Sequence, residues 1–175
     1  MGYLIQPYQL LICLQLFLLY SQCSATLCSH DQSSALLQFK QLFSFEKHSS
    51  SLCDGYQHIS RPKMMSWKED ADCCSWDGVT CDSATGHVIG LDLSCSWLHG
   101  NIPSNSSLSL LPRLRKLNLA FNDFNYSKIS SGFTDQFPSL TLLNLSFSYF
   151  TGSIPPSLGN NISQLTYLDL SQNSF

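Results

Sequence analysis

Leu114-Arg-Lys-Leu117-Asn-Leu119-Ala-Phe-Asn122 decides how this chain folds, because the pattern occurs four times. Val88-Ile-Gly-Leu91-Asp-Leu93-Ser-Cys-Ser96 precedes it. Leu140-Thr-Leu-Leu143-Asn-Leu145-Ser-Phe-Ser148 and Leu165-Thr-Tyr-Leu168-Asp-Leu170-Ser-Gln-Asn173 follow it. Successive starts lie 26, 26 and 25 residues apart. Within each copy the Leu-x-Leu core predicts a short strand whose alternate side chains point to one side. Each such leucine contributes about 1.5–3 kcal/mol when fully buried. One copy cannot bury that face alone, so the copies must stack. The last position turns the chain out of the strand. An asparagine there can bond backbone groups on both sides of the turn, as Asn122 and Asn173 are placed to do, while Ser96 and Ser148 are shorter substitutes. Four matches at one period set aside a chance collection of amphipathic strands.

A period of this length is that of leucine-rich repeats. The predicted fold class is an α/β solenoid, a right-handed coil of short parallel strands behind a disulfide-bonded N-terminal cap. After the strands, Leu98-His-Gly100-Asn-Ile102-Pro103 and Phe150-Thr-Gly152-Ser-Ile154-Pro155-Pro-Ser-Leu158-Gly159-Asn resemble the plant-specific repeat class. The second repeat has Phe124-Asn-Tyr-Ser-Lys-Ile129 instead, which predicts an irregular convex side. The expected organisation is a signal peptide over 1–25, a cap over 26–87, and repeats over 88–175, three complete and a fourth partial. A fourth strand without a neighbour exposes leucines and an unpaired edge, so residues 26–175 alone are expected to be poorly stable.

Composition narrows the function. Charged residues are 12% of the chain, against roughly 25% in a typical soluble domain. A net charge of -3 with no basic cluster excludes a nucleic-acid binder and gives no pull toward an anionic membrane. Eight cysteines point to an oxidising compartment. Leu10 to Tyr20 is an apolar run of signal-peptide length, too short to span a bilayer, and Cys23-Ser24-Ala25 predicts cleavage after Ala25. The stretch before Leu10 has no Lys or Arg, so an uncleaved signal anchor is the alternative. Four sequons, at Asn105, Asn125, Asn144 and Asn161, supply a route to solubility through glycans.

Ahead of the repeats, Asp31 to Phe45 reads as a helix with Asp31 as N-cap and Ala35, Leu36, Phe39, Leu42 and Phe43 on one face. Trp76 to Cys81 reads as a strand pairing with the first repeat, followed by a turn at Ser83-Ala84-Thr85-Gly86. Trp67 and Trp76 are expected to cover the end of the leucine stack, with ligand contact as the alternative role. Cys28, Asp31 to Lys40, Ser66-Trp67 and Asp72-Cys73-Cys74-Ser-Trp76-Asp-Gly78-Val-Thr-Cys81-Asp82 together resemble the plant leucine-rich-repeat N-terminal domain. That domain heads receptor kinases, receptor-like proteins and polygalacturonase-inhibiting proteins. The Ser66–Asn125 stretch is most similar to disease-resistance receptor-like proteins, in which an extracellular solenoid precedes one transmembrane helix and a short tail without a kinase.

Cys13 lies in the apolar run and Cys23 leaves with the signal, so six cysteines remain and their pairing is open from sequence alone. A zinc site of Cys73, Cys74, Cys81 and His87 lacks paired C-x-x-C spacing and suits an oxidising compartment badly. The resemblance implies Cys28–Cys73 and Cys74–Cys81. Cys53 and Cys95 then join, tying a Cys53–Ser60 insertion to the first repeat.

The non-leucine strand positions face the concave side. Lys116, Asn118, Tyr167 and Asp169 are the candidate ligand contacts there, against the alternative of a merely solvated face. Asn144 shares that face, and a glycan on it obstructs a ligand, so the main contact surface is expected in repeats beyond this chain. No catalytic motif or convergent acid, base and nucleophile occurs, so neither enzyme activity nor a cofactor is expected. The resemblance implies an extracellular recognition module of a plant cell-surface receptor-like protein. It binds a pathogen- or self-derived protein or peptide in defence and signals through a partner co-receptor kinase. The alternatives are a soluble polygalacturonase-inhibitor-like protein and an inactive truncated receptor fragment. Membrane association would run only through a C-terminal segment not in this sequence or through an uncleaved signal anchor.

Overall fold

A computed structural model describes residues 12, 15, 27–56, 58–130, 132, 136–156, 158 and 164–175. Apart from residues 12 and 15, the expected signal peptide lies outside the described residues, as does the Asn161 sequon.

In chain order the regular elements are α1 (His30–Lys40), β1 (Phe43–Phe45), α2 (Ser51–Gly55), β2 (Val79–Cys81), β3 (Val88–Asp92), β4 (Leu98–Gly100), β5 (Lys116–Asn118), β6 (Leu142–Asn144) and β7 (Tyr167–Asp169). The repeat leucines lock β3, β5, β6 and β7 into one parallel register, Leu91 beside Leu117, Leu143 and Leu168. β2 adds to the free edge of β3 in antiparallel sense. Gly78, just before β2, sits at φ +85 against the Asp92 carbonyl, where a Cβ would collide. Inside, Leu91, Leu93, Leu117, Leu119, Leu143 and Leu145 are buried. The core continues toward the convex side through the rings of Phe39, Phe43, Phe124 and Phe150, whose successive centroids lie 5.0, 5.7 and 5.2 Å apart.

Asn122 is the hydrogen-bonding hub of its turn. Its Nδ2 donates to the carbonyls of Leu93, Leu119 and Ala120, and its Oδ1 accepts from the amides of Ser96 and Leu98. Asn173 repeats the arrangement with Leu145, Leu170, Ser171, Ser148 and Phe150. Among the described residues, the Ser148 hydroxyl reaches the Leu119 and Ser146 carbonyls and the Ser96 hydroxyl the Ser94 carbonyl. The residue before each of these positions, Cys95, Phe121, Phe147 or Gln172, is left-handed, at φ 53–57. Beyond the second strand, Asn125 and Tyr126 are both left-handed, and this is where the repeat lacks its Gly-x-Ile-Pro.

The cap differs from the expected helix at both ends. Ser29, not Asp31, is the N-cap, and its side chain accepts from the Gln32 amide. Asp31 instead lies in the first turn, where its charge complements the helix dipole. The helix stops at Lys40, and Phe43–Phe45 pairs antiparallel with Leu98–Gly100. Helical spacing carries on through Leu42 and Phe43, but Phe43 has to enter between Phe39 and Phe124, and a strand places it there. Gly100 makes that approach possible: at φ +152, a Cβ there would strike the Leu42 carbonyl. Trp67 and Trp76 stack at 5.1 Å and 18° within the core, covering the first repeat. Disulfides join Cys28 to Cys73, Cys74 to Cys81 and Cys53 to Cys95, with Cα separations of 5.6, 5.5 and 5.8 Å.

Candidate functional site

The parallel register turns the concave positions into rows. Asp92, Asn118, Asn144 and Asp169 form one row across the four repeat strands. Each uses Oδ1 to accept the amide two residues on, from Ser94, Ala120, Ser146 and Ser171, at 3.0, 3.2, 3.0 and 3.0 Å. The hydroxyls of Ser94, Ser146 and Ser171 add bonds of 2.7, 2.8 and 2.7 Å to the same oxygens. An Asx side chain satisfying its own turn in this way is held in one orientation. In Asn118 and Asn144 the amide nitrogen is then the group left to face outward, and neither donates to a protein atom among the described residues.

A neighbouring row holds Lys116, Leu142 and Tyr167. Lys116 and Tyr167 are exposed, but two strand spacings, about 10 Å, separate them, so they do not converge. Tyr167 leans on Asp169, its hydroxyl 3.4 Å from the carboxylate.

The concave surface is not open on all sides. Chain from His58 to Lys63 forms a wall over it, enclosing a cleft of 510 Å³ with Ser94, Asn118, Ala120, Phe121 and Asn144 among the opposing residues. Of the four sequence-derived contacts, Asn118 lines this cleft; Lys116, Tyr167 and Asp169 do not. His58, Ile59, Arg61 and Lys63 were not expected there, and neither was Phe121. A faint signal existed: Cys53 and Cys95 were the leftover pair, and joining them brings the insertion to the end of the first strand.

Several bonds fix the wall. The Cys53–Cys95 disulfide anchors its start, and the Arg61 amide donates to the Cys95 carbonyl at 3.0 Å. Arg61 forks onto both oxygens of Asp77 at 2.8 and 2.9 Å. Lys63 donates to the carbonyl and the carboxylate of Asp92, both at 3.0 Å. Tyr56 packs on Phe121 and Phe147, which stack on each other at 4.6 Å and 7°. These ring positions follow from the shared left-handed turn, which sends the residue before Asn122 and before Ser148 to the same flank.

The acids respond to these partners. The Arg61 hydrogen bond holds the Asp77 carboxyl below its ordinary range. Burial works to raise Asp92, but the Ser94 hydroxyl and Lys63 outweigh it and leave the group lowered. Asp169 is lowered chiefly by the Ser171 hydroxyl, and Asp82 in the cap chiefly by the Thr85 hydroxyl.

Two other clusters are structural. Cys28, Asp72, Cys73 and Cys74 crowd together, but all three sulfurs are in disulfides and Asp72 Oδ1 accepts from the amides of Cys28 and Cys74. The zinc alternative of Cys73, Cys74, Cys81 and His87 loses its thiolates the same way. Among the sequons, Asn105 and Asn125 are exposed and Asn144 lines the cleft.

The N-terminal stretch, residues 29–82, matches the leucine rich repeat N-terminal domain, and residues 139–161 match the leucine rich repeat. Receptor-like protein 6 of Arabidopsis thaliana is 46% identical over 147 residues, covering 82% of this chain and 15% of that protein. Receptor-like protein Cf-9 of Solanum pimpinellifolium is 49% identical over 111 residues, covering 61% of this chain and 13% of that protein. The chain thus spans about one seventh of the length of these relatives. Among solved structures, the Arabidopsis receptor kinase HAESA ectodomain, in complex with an N-terminally extended IDA peptide hormone, aligns at a TM-score of 0.63 and 33% identity. It covers 81% of this chain and 20% of that one. The BIR2 ectodomain from Arabidopsis thaliana aligns at 0.61 and 26%, covering 83% and 68%. Repeat register, capping disulfides and these likenesses agree: the chain belongs to the leucine-rich-repeat proteins, and carries the N-terminal cap and first repeats of the plant receptor-like proteins.

Proposed function

We propose that this chain is the N-terminal part of an extracellular recognition module of a plant cell-surface receptor-like protein, and that it binds rather than catalyses. It takes a pathogen- or self-derived protein or peptide on its concave face and signals in defence through a partner kinase. One observation carries this reading. The concave polar row is held in fixed orientation by its own turns, and the cap wall adds a cleft to that same face. A preorganised surface of this kind loses little freedom when a ligand binds. The HAESA ectodomain has been solved with a peptide hormone and the co-receptor SERK1, which lends support by likeness. Among the described residues, no helix is long and apolar enough to cross a membrane. Asn105 and Asn125 carry glycans away from the concave face. Lys116, Asn118, Tyr167 and Asp169 contribute contacts at the near end of a surface that continues into further repeats.

Photo-crosslinking tests this. The receptor is displayed on plant cells with a crosslinking amino acid at Asn118, Tyr167 or, as a convex control, Ile102. Elicitor-containing extracellular fluid is then applied. The reading expects adducts with an extracellular protein or peptide from the concave positions and none from the control. Adducts confined to the control position would overturn it.

A further inference from the structure

The cleft has a marked surplus of hydrogen-bond donors. Its lining carries Arg61, Lys63 and His58 and the amides of Asn118 and Asn144, and no carboxylate lines it among the described residues. Asp77 and Asp92, which bond the two cations, are not part of the lining. A guanidinium has five N–H donors, and Asp77 engages only Nε and Nη2 of Arg61. That fork holds one edge of Arg61 still and, among the described residues, leaves the other free. Lys63 Nζ likewise uses two of its donors on Asp92. Asn118 and Asn144 are register partners, so their outward amides stand about 4.8 Å apart on adjacent strands. Apolar surface borders the donors: Phe121 on the floor and Ile59, 82% exposed, on the wall. The volume of 510 Å³ lies within the range of about 300–1,000 Å³ usual for ligand pockets.

From this we infer that the cleft takes an extended peptide segment bearing a carboxylate. With the Asn144 sequon unoccupied, the carboxylate meets the free edge of Arg61, backbone carbonyls meet the amides of Asn118 and Asn144, and an apolar side chain lies between Ile59 and Phe121. The inference rests on the concave face being the ligand surface. It deepens that reading by naming what one end of the ligand carries. The carboxylate comes from an acidic side chain or from a peptide C-terminus, since the same donors serve both.

The test uses the full chain secreted from plant cells with its glycans intact, and four N-acetylated hexapeptide pools. The pools end in a free acid or an amide, and contain or lack Asp and Glu. Binding is read by thermophoresis and located by hydrogen exchange. Carboxylate-bearing pools are expected to bind about tenfold more tightly than the all-amide pool without acids, the scale of one charge-assisted hydrogen bond. Whichever acidic pool leads identifies the source. Arg61→Gln removes that preference, whereas Asp77→Asn, which frees the bound edge of Arg61, increases it. Lys68→Gln, an exposed cap residue outside the cleft, leaves it unchanged. Ser146→Ala deletes the Asn144 sequon and one hydroxyl bond to Asn144, but keeps the Asn144 amide and the backbone N–H that holds it, and this variant retains the preference for carboxylate-bearing pools. Equal affinity of all pools, with protection still on the concave strands, overturns the carboxylate inference alone. Protection on no concave strand overturns the concave reading as well. Binding seen only in Ser146→Ala shows the native cleft to be filled by a glycan and overturns the inference for the native protein.

Discussion

Leu91 and Leu168 occupy the same position of the same motif, yet Leu91 is 1% exposed and Leu168 is 43% exposed. Leu117 and Leu143, between them in register, are fully buried. The first strand has β2, Trp67 and Trp76 on its outer side, fastened by the capping disulfides; beyond the fourth strand no described residue covers the leucines. A consensus leucine is therefore stabilising only to the extent that a neighbour lies on each side of it. This is nearest-neighbour behaviour, as expected of a solenoid.

The sharpest way to probe this difference is to delete the same side chain at both ends. Leu91→Ala is expected to cost about 3–5 kcal/mol and Leu168→Ala about 1 kcal/mol or less, read from denaturant midpoints. Equal costs would erase the distinction. The cap side depends next on its covalent ties. Replacing Cys53 and Cys95 together by Ser is expected to cost about 2–4 kcal/mol and to bring the exchange rate of the Arg61 amide close to that of the fourth repeat. The turn asparagines give a third contrast. Asn122→Ala leaves buried backbone groups of Ser96, Leu98 and Leu93 without partners and should cost about 2–3 kcal/mol. Asn173→Ala, with the same bonds but half exposed, should cost less.

The smallest effect is on pH. Asp77, Asp82, Asp92 and Asp169 all sit below their ordinary range when folded. Stability from such groups is fully present above the unfolded value, near pH 4, and is lost as pH falls through the folded values. Melting temperature should therefore be flat with respect to these groups above about pH 5 and fall below about pH 4. Asp77→Asn and Asp92→Asn should each flatten that fall. An unchanged acid limb in both would remove these two acids from the account.

The solenoid was legible because its signal is repeated: four copies of one alternation leave little choice of register. The single-copy parts were harder. Helical spacing runs on through Leu42 and Phe43, and only the distant Leu98–Gly100 segment shows that Phe43 belongs to a strand. The binding wall gave less still. His58, Ile59, Arg61 and Lys63 follow no period, and their place over β3 and β5 comes from a disulfide, a backbone bond and two ion pairs to residues 16 to 42 positions away. Phe121 and Phe147 were readable as equivalent positions, but their use as a platform for Tyr56 depends on a non-periodic partner.

The claim on which the rest stands is that this wall and the first three repeats form one ordered surface. Hydrogen exchange resolved by mass spectrometry on the secreted chain tests it directly. Peptides reporting Arg61 and Lys63 should exchange as slowly as those reporting Leu93 and Leu119, and far more slowly than those from 165–175. Exchange around Arg61 as fast as in the fourth repeat would mean that the wall is not held against the strands, and the cleft it encloses would lose its basis.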